Sequence, residues 1–145
     1  MSPPNLESPR ALVERYFSMM QAGDPAIGDL FDEDAVWVAP QSSPVGRRHV
    51  GKDAVLELMG QGVGLYDADE PMQIHFDAMV GEGETVFVEF RLDARTGSGE
   101  PYLNHYVFVF RVRDGRIVEI HEHLDTHYAQ RKLFDPVGQA SPLDS

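Results

Sequence analysis

The dipeptide Asp114-Gly115 constrains this chain most. It interrupts an alternating apolar stretch, Tyr102–Asp125, near its middle. Asp-Gly in that setting predicts a two-residue hairpin loop, because both loop residues must tolerate positive φ. Arg113 then faces Arg116, and strict alternation sorts the two strands into faces. One face carries Asn104, Tyr106, Phe108 and Phe110 with Glu119, His121, His123 and Asp125. The other carries His105, Val107, Val109 and Arg111 with Val118, Ile120, Glu122 and Leu124. A slip of one residue would exchange these sets, so everything downstream depends on register.

Neither face is a polar row, which predicts a hairpin in mid-sheet, covered on both sides. The second face is a floor of Val, Ile and Leu holding one carboxylate and one imidazole. Unbroken pairing sets Glu122 opposite Val107 and His105 opposite Leu124, so Glu122 and His105 become diagonal neighbours about 7–8 Å apart. A carboxyl on an apolar floor loses hydration, which disfavours its charged form. Such a group can give and take protons near neutrality. The plainer alternative is a glutamate ion-paired with Arg111 or His105, holding strands together.

Upstream, Ser8-Pro9 predicts a helix start, with a hydroxyl cap and a proline where its missing N–H costs nothing. Leu12, Val13, Tyr16, Phe17 and Met20 recur at helical spacing up to Gly23. A short helix from Asp24-Pro25 through Phe31, a strand Ala35–Ala39, a loop over 40–51 and a helix Lys52–Gly62 follow, then a loop over 64–71. Met72, Ile74, Phe76, Ala78 and Val80 then alternate with polar residues, as do Val86, Val88, Phe90 and Leu92. Asp125–Leu133 reads as a short terminal helix. Helices segregated from an antiparallel meander give an α+β class. The sheet is expected to curl around the three N-terminal helices. One domain is expected over 1–145, with its core at about 8–134 and flexible tails at 1–7 and 135–145.

Composition narrows function. With 42% hydrophobic residues the chain can build a core, and a net charge of −12 opposes nucleic acid and anionic membranes. No apolar run approaches a membrane span, and the first residues lack the layout of a secretory signal, so a cytoplasmic protein is expected. Without cysteine there is no thiol nucleophile, disulfide or thiolate metal site. No cofactor is expected either.

The segments ALVERYFSMMQAGD, LFDEDAVWVAP, HVGKDAV and NHYVFVFRVRDGRIVEIHEHLD, with their spacing, resemble the nuclear transport factor 2-like superfamily, a cystatin-like cone fold. Within it the chain is similar to the SnoaL-like polyketide-cyclase and ketosteroid-isomerase-like branch. YLNHY, FVEFR and HEHLD bring it nearest in motif to the phenazine-biosynthesis A/B-type proteins. The resemblance implies a deep apolar pocket, and a homodimer through the sheet's outer face. It implies an acid/base role for Glu122 and aligns Tyr16 with the first-helix tyrosine that serves ketosteroid isomerases as an oxyanion donor. Trp37 aligns with a pocket aromatic. The chain departs at three points, one being valine or phenylalanine around Val107–Val109 where ketosteroid isomerases carry the buried acid of their oxyanion hole. Ala39 stands where ketosteroid isomerases carry their aspartate base. Phe90 and Leu92 stand where epoxide hydrolases carry Arg-x-Asp.

The catalytic candidates are therefore Glu122, His105 and Tyr16. The expected pocket adds Trp37, Ala39, Val88, Phe90, Leu92, Val107, Val109, Ile120, Leu124, Met59 and His49. His121 and His123 share a face with Asp125, but no recognised metal-ligand spacing accompanies them. With Tyr106, Phe108 and Phe110 they are assigned instead to the dimer stripe. The expected function is a cofactor-independent isomerase, cyclase or condensing enzyme for a small apolar carbonyl-bearing metabolite, in secondary metabolism. A non-catalytic binding or accessory protein is the alternative, and epoxide hydrolysis a distant third.

Overall fold

The computed structural model describes residues 7–144, so the expected N-terminal tail lies almost wholly outside the described residues. Helix α1 spans Pro9–Ala22, with Ser8 Oγ accepting the Ala11 N–H at 3.1 Å and Gly23 closing it at φ 65°. These are the cap and stop that the sequence predicts. A 3₁₀ turn, Pro25–Leu30, leads into β1 (Phe31–Val38), which starts earlier than the expected strand. A short strand β2 (Arg48–Val50) lies in what the sequence reads as loop, and α2 follows at Lys52–Val63. Strands β3 (Gln73–Glu82), β4 (Thr85–Arg95), β5 (Pro101–Arg113) and β6 (Arg116–Leu124) complete the sheet.

The six strands run in the order β2-β1-β6-β5-β4-β3. Pairing is antiparallel except between β1 and β6, which are parallel. The expected meander is thus present, but β1 returns to lie beside its last strand. No described helix is long and apolar enough to cross a membrane.

The inner face is aromatic. Phe17 of α1 is 1% exposed and packs its ring against Tyr16, Phe76, Phe90 and Phe110 at centroid distances of 5.0–5.7 Å. Mostly edge-to-face contacts of this kind suit the ring quadrupoles.

The hairpin confirms the turn and corrects the faces. Asp114 has φ 52°, Gly115 has φ 75°, and Arg113 pairs with Arg116. Val112 then pairs with Ile117, but Arg111 pairs with Glu119, leaving Val118 as an extra residue. This bulge advances β6 by one position from there on. Glu122 consequently faces Phe108, not Val107, and Leu124 faces Tyr106, not His105. The inner set is Asn104, Tyr106, Phe108 and Phe110 with Ile120, Glu122 and Leu124. The outer set is His105, Val107, Val109 and Arg111 with Glu119, His121 and His123. A second register shift, between Phe76 and Ala78, puts Met79 opposite the buried Val88 and leaves Val80 62% exposed. Ala78 and Val80 therefore do not continue the face of Ile74 and Phe76, as plain alternation had predicted.

The C-terminal segment continues α3 (Thr126–Ala129) through a π turn, Gln130–Phe134, rather than ending as a plain helix. Residues expected to be a loose tail are bonded. Gln130 Nε2 donates to Gln139 O at 2.8 Å, and Ser141 Oγ donates to Ser42 O at 3.0 Å.

Candidate functional site

Between the inner face, α2 and the C-terminal segment lies a cavity of about 190 Å³. An apolar cavity of about 150 Å³ already admits benzene, so this space suits a molecule of one or two rings. Trp37, Phe90, Tyr106, Phe108 and Glu122 line its sheet side, and Met59, Tyr66 and Leu133 lie among the residues opposite. No Lys, Arg or His is among the described lining residues.

Glu122 projects from β6 into this space because the bulge at Val118 turns it inward. Part of its remaining surface lines the cavity. Loss of hydration pushes its carboxyl from the ordinary 4.5 up to about 7. The opposing influence is a hydrogen bond, with Trp37 Nε1 donating to Glu122 Oε1 at 3.3 Å. Trp37 reaches it because β1 runs parallel to β6, with Trp37 beside Ile120 one pleat away. Its indole stands edge-on to Phe108 at 5.4 Å. Trp37→Phe keeps an aromatic ring, though a smaller one, and removes the donor, so the Glu122 midpoint should rise above about 7. A side-chain NMR titration of the variant reads this directly, and an unchanged midpoint would show that the bond does nothing for the charged form.

Of the expected pocket residues, Trp37, Phe90, Leu92, Leu124 and Met59 line the cavity. Val88 and Ile120 share the inner face but lie in the closed core. Ala39 is buried just beyond β1, its N–H bonded to Arg47 O. His49 pairs with Trp37 across β2, and its Nε2 meets Gly46 O at 3.2 Å instead of the cavity. Val107 and Val109 are on the opposite side of the sheet, as is His105, which is exposed and separated from Glu122. Plain alternation misplaced all three, because the bulge carries the inner face to the other set of β5 residues. Tyr16 is enclosed by Phe17, Phe31 and Phe110 and does not line the cavity. Burial first, and the charge of Glu122 second, hold its hydroxyl well above the ordinary range.

The same correction removes Tyr106, Phe108 and Phe110 from the proposed dimer stripe, since all three face inward. His121 and His123 do face outward, stacked at 4.6 Å. Arg91 and Asp93 also lie outside, and Arg91 clamps Asp77 through two bonds of 3.1 and 3.2 Å. No Arg-x-Asp pair enters the cavity there, where Phe90 and Leu92 stand.

Sequence reasoning missed the other polar feature. Tyr102 and Tyr106 bond hydroxyl to hydroxyl at 2.8 Å beside the buried Asn104, and the Tyr66 ring packs against Tyr102. Asn104 is the one side chain without an aromatic or aliphatic body among the inward positions of β5, and that was the available signal. Tyr66 sits in the loop after α2, where no pattern marks it.

A family model described as SnoaL-like domain matches residues 13–120. The uncharacterized protein YesE of Bacillus subtilis (strain 168) is 33% identical over 106 residues. That alignment covers 66% of this chain and 65% of YesE, so the chain spans somewhat under two thirds of that relative's length. An NTF2-like protein of unknown function from Burkholderia pseudomallei superposes with a TM-score of 0.76 at 23% identity, covering 88% of this chain and 99% of the other. A Jannaschia protein provisionally named a SnoaL-like polyketide cyclase gives 0.74 at 15% identity, covering 92% and 96%. At such identities the superpositions establish the NTF2-like fold.

Proposed function

The chain belongs to the SnoaL-like domain family, and on that premise we propose that it is a cofactor-independent acid/base enzyme. It would act as an isomerase, cyclase or condensing enzyme on a small, largely apolar, carbonyl-bearing molecule. One observation carries the reading: Glu122 is a carboxyl in an apolar cavity with no basic residue among its described lining, poised at about 7. At that midpoint both protonation states are populated near neutrality, which is what proton shuttling needs.

Ionised Glu122 would take a proton from the carbon next to the carbonyl and return it at the same or a conjugated position. The neighbour named as a cyclase supports this class of chemistry. A binding protein of the same fold is the second reading, favoured by Ala39 at the position of the ketosteroid-isomerase base.

NMR titration of the Glu122 side-chain carboxyl, assigned with Glu122→Gln, tests the proposal. A midpoint near 7 is expected. A midpoint at or below the ordinary 4.5 would mean a solvated strand residue, and the binding reading would replace catalysis.

A further inference from the structure

The orientation of Asn104 can be fixed without ambiguity. Its Oδ1 accepts the His105 backbone N–H at 2.8 Å, and its Nδ2 donates to Asp125 O at 3.1 Å. A backbone N–H can only donate and a backbone carbonyl can only accept, so the amide cannot be reversed. Its Nδ2 therefore also donates to the Tyr102 hydroxyl oxygen, at 2.9 Å. Tyr102 in turn meets the Tyr106 hydroxyl at 2.8 Å, a bond that uses one hydroxyl proton.

The Tyr66 ring stands edge-on to Tyr102 at 5.6 Å, on the cavity side of that pair. Three hydroxyls thus bring three protons to a cluster whose innermost oxygen already accepts from an amide. Tyr66 and Tyr106 both line the cavity, and when Tyr102 donates to Tyr106 the protons of Tyr106 and Tyr66 are left for a ligand there. Burial keeps all three phenols above their ordinary range, so they act as neutral donors. The charge of Glu122 is felt at each of them. The cavity therefore carries a proton acceptor at one point and hydroxyl donors at another.

We propose that the hydroxyls of Tyr66 and Tyr106, anchored through Tyr102 to Asn104, form a donor subsite for a carbonyl oxygen. The substrate class this selects is a neutral ketone-type molecule, its oxygen at the tyrosines and its α-carbon at Glu122. The assignment rests on the acid/base reading above. In the step it serves, Glu122 removes the α-proton and the C–H electron pair becomes a carbon–carbon double bond. The carbonyl π pair moves onto oxygen, giving an enolate. The hydroxyl protons meet that developing charge where water has little access. Return of the proton from Glu122 to carbon restores both carboxylate and carbonyl.

The test uses acetophenone labelled with ¹³C at its carbonyl, and ethylbenzene as a partner of similar shape without the oxygen. At a pH well above 7 Glu122 is ionised and cannot donate, so any hydrogen bond to the ketone must come from elsewhere. Bound acetophenone should show a downfield carbonyl resonance. Tyr66→Phe and Tyr106→Phe should each weaken acetophenone by about 5- to 10-fold and reduce the downfield shift. Ethylbenzene affinity should hold, showing an intact cavity. Wild type showing no downfield shift for bound acetophenone would overturn the subsite, and this arm needs no variant to fold. A full shift in the doubly substituted protein would overturn it equally. Deuterium exchange at the ketone's methyl group, compared with Glu122→Gln, tests the acid/base reading separately. A carbonyl shift without exchange would leave the subsite standing and remove the proton shuttle.

Discussion

Glu122→Gln is expected to slow α-proton exchange of a bound ketone by about 10²–10⁴-fold, the usual share of a positioned acid or base. Binding of the ketone should survive, because the amide fills nearly the same volume and still accepts from Trp37 Nε1. The same variant should be more stable than wild type at alkaline pH. Between 4.5 and about 7 the folded protein holds a proton on Glu122 that the unfolded chain has released. Stability from this group therefore falls as pH rises through that window, and the penalty is complete above it. The shift sets an upper limit of about 3 kcal/mol. Gln carries no charge to bury, so its advantage should appear above pH 7 and vanish below 4.5. Thermal melts of both proteins across that range, with exchange rates by NMR, check both halves. Equal melting temperatures at high pH would mean that the carboxyl is solvated in the folded state, and wild-type exchange would end its role as base.

Phe17→Ala should be the most damaging single truncation in the aromatic core. Its ring joins α1 to β3, β4 and β5 through Phe76, Phe90, Phe108 and Phe110. Removing a large buried aromatic costs about 3–5 kcal/mol, part transfer and part unfilled space. Phe17 does not line the cavity, so the Glu122 midpoint should stay near 7 while the urea midpoint drops sharply. A loss under about 1 kcal/mol would show that α1 collapses onto the sheet and closes the gap.

What could be read from the letters was local. Ser8-Pro9, Gly23 and Asp114-Gly115 act within a few residues, and the structure uses each as expected. Glu122 and Trp37 were also found, Glu122 as a lone acid in an apolar row. The failures share one cause. Val118 fits the apolar alternation of β6 as well as any strand residue, so nothing in the sequence marks it as surplus. One extra residue then moved His105, Val107 and Val109 to the far side and brought Tyr106 and Phe108 into the cavity. The residue after Phe76 has the same effect on β3. The Trp37–Glu122 bond spans 85 positions and depends on a parallel pairing that no periodicity announces. Tyr66 was invisible because loop residues carry no repeating pattern.

A lining without a cation has a consequence for sorting. A phosphate, carboxylate or coenzyme-linked compound entering such a space would surrender its hydration with no opposite charge to meet it. A net charge of −12 already repels it from outside. The protein therefore resembles the organic layer of a separating funnel. Among neutral compounds small enough to enter and alike in their hydrogen-bonding groups, occupancy should track their distribution between oil and water, and a single anionic group should outweigh any gain in fit.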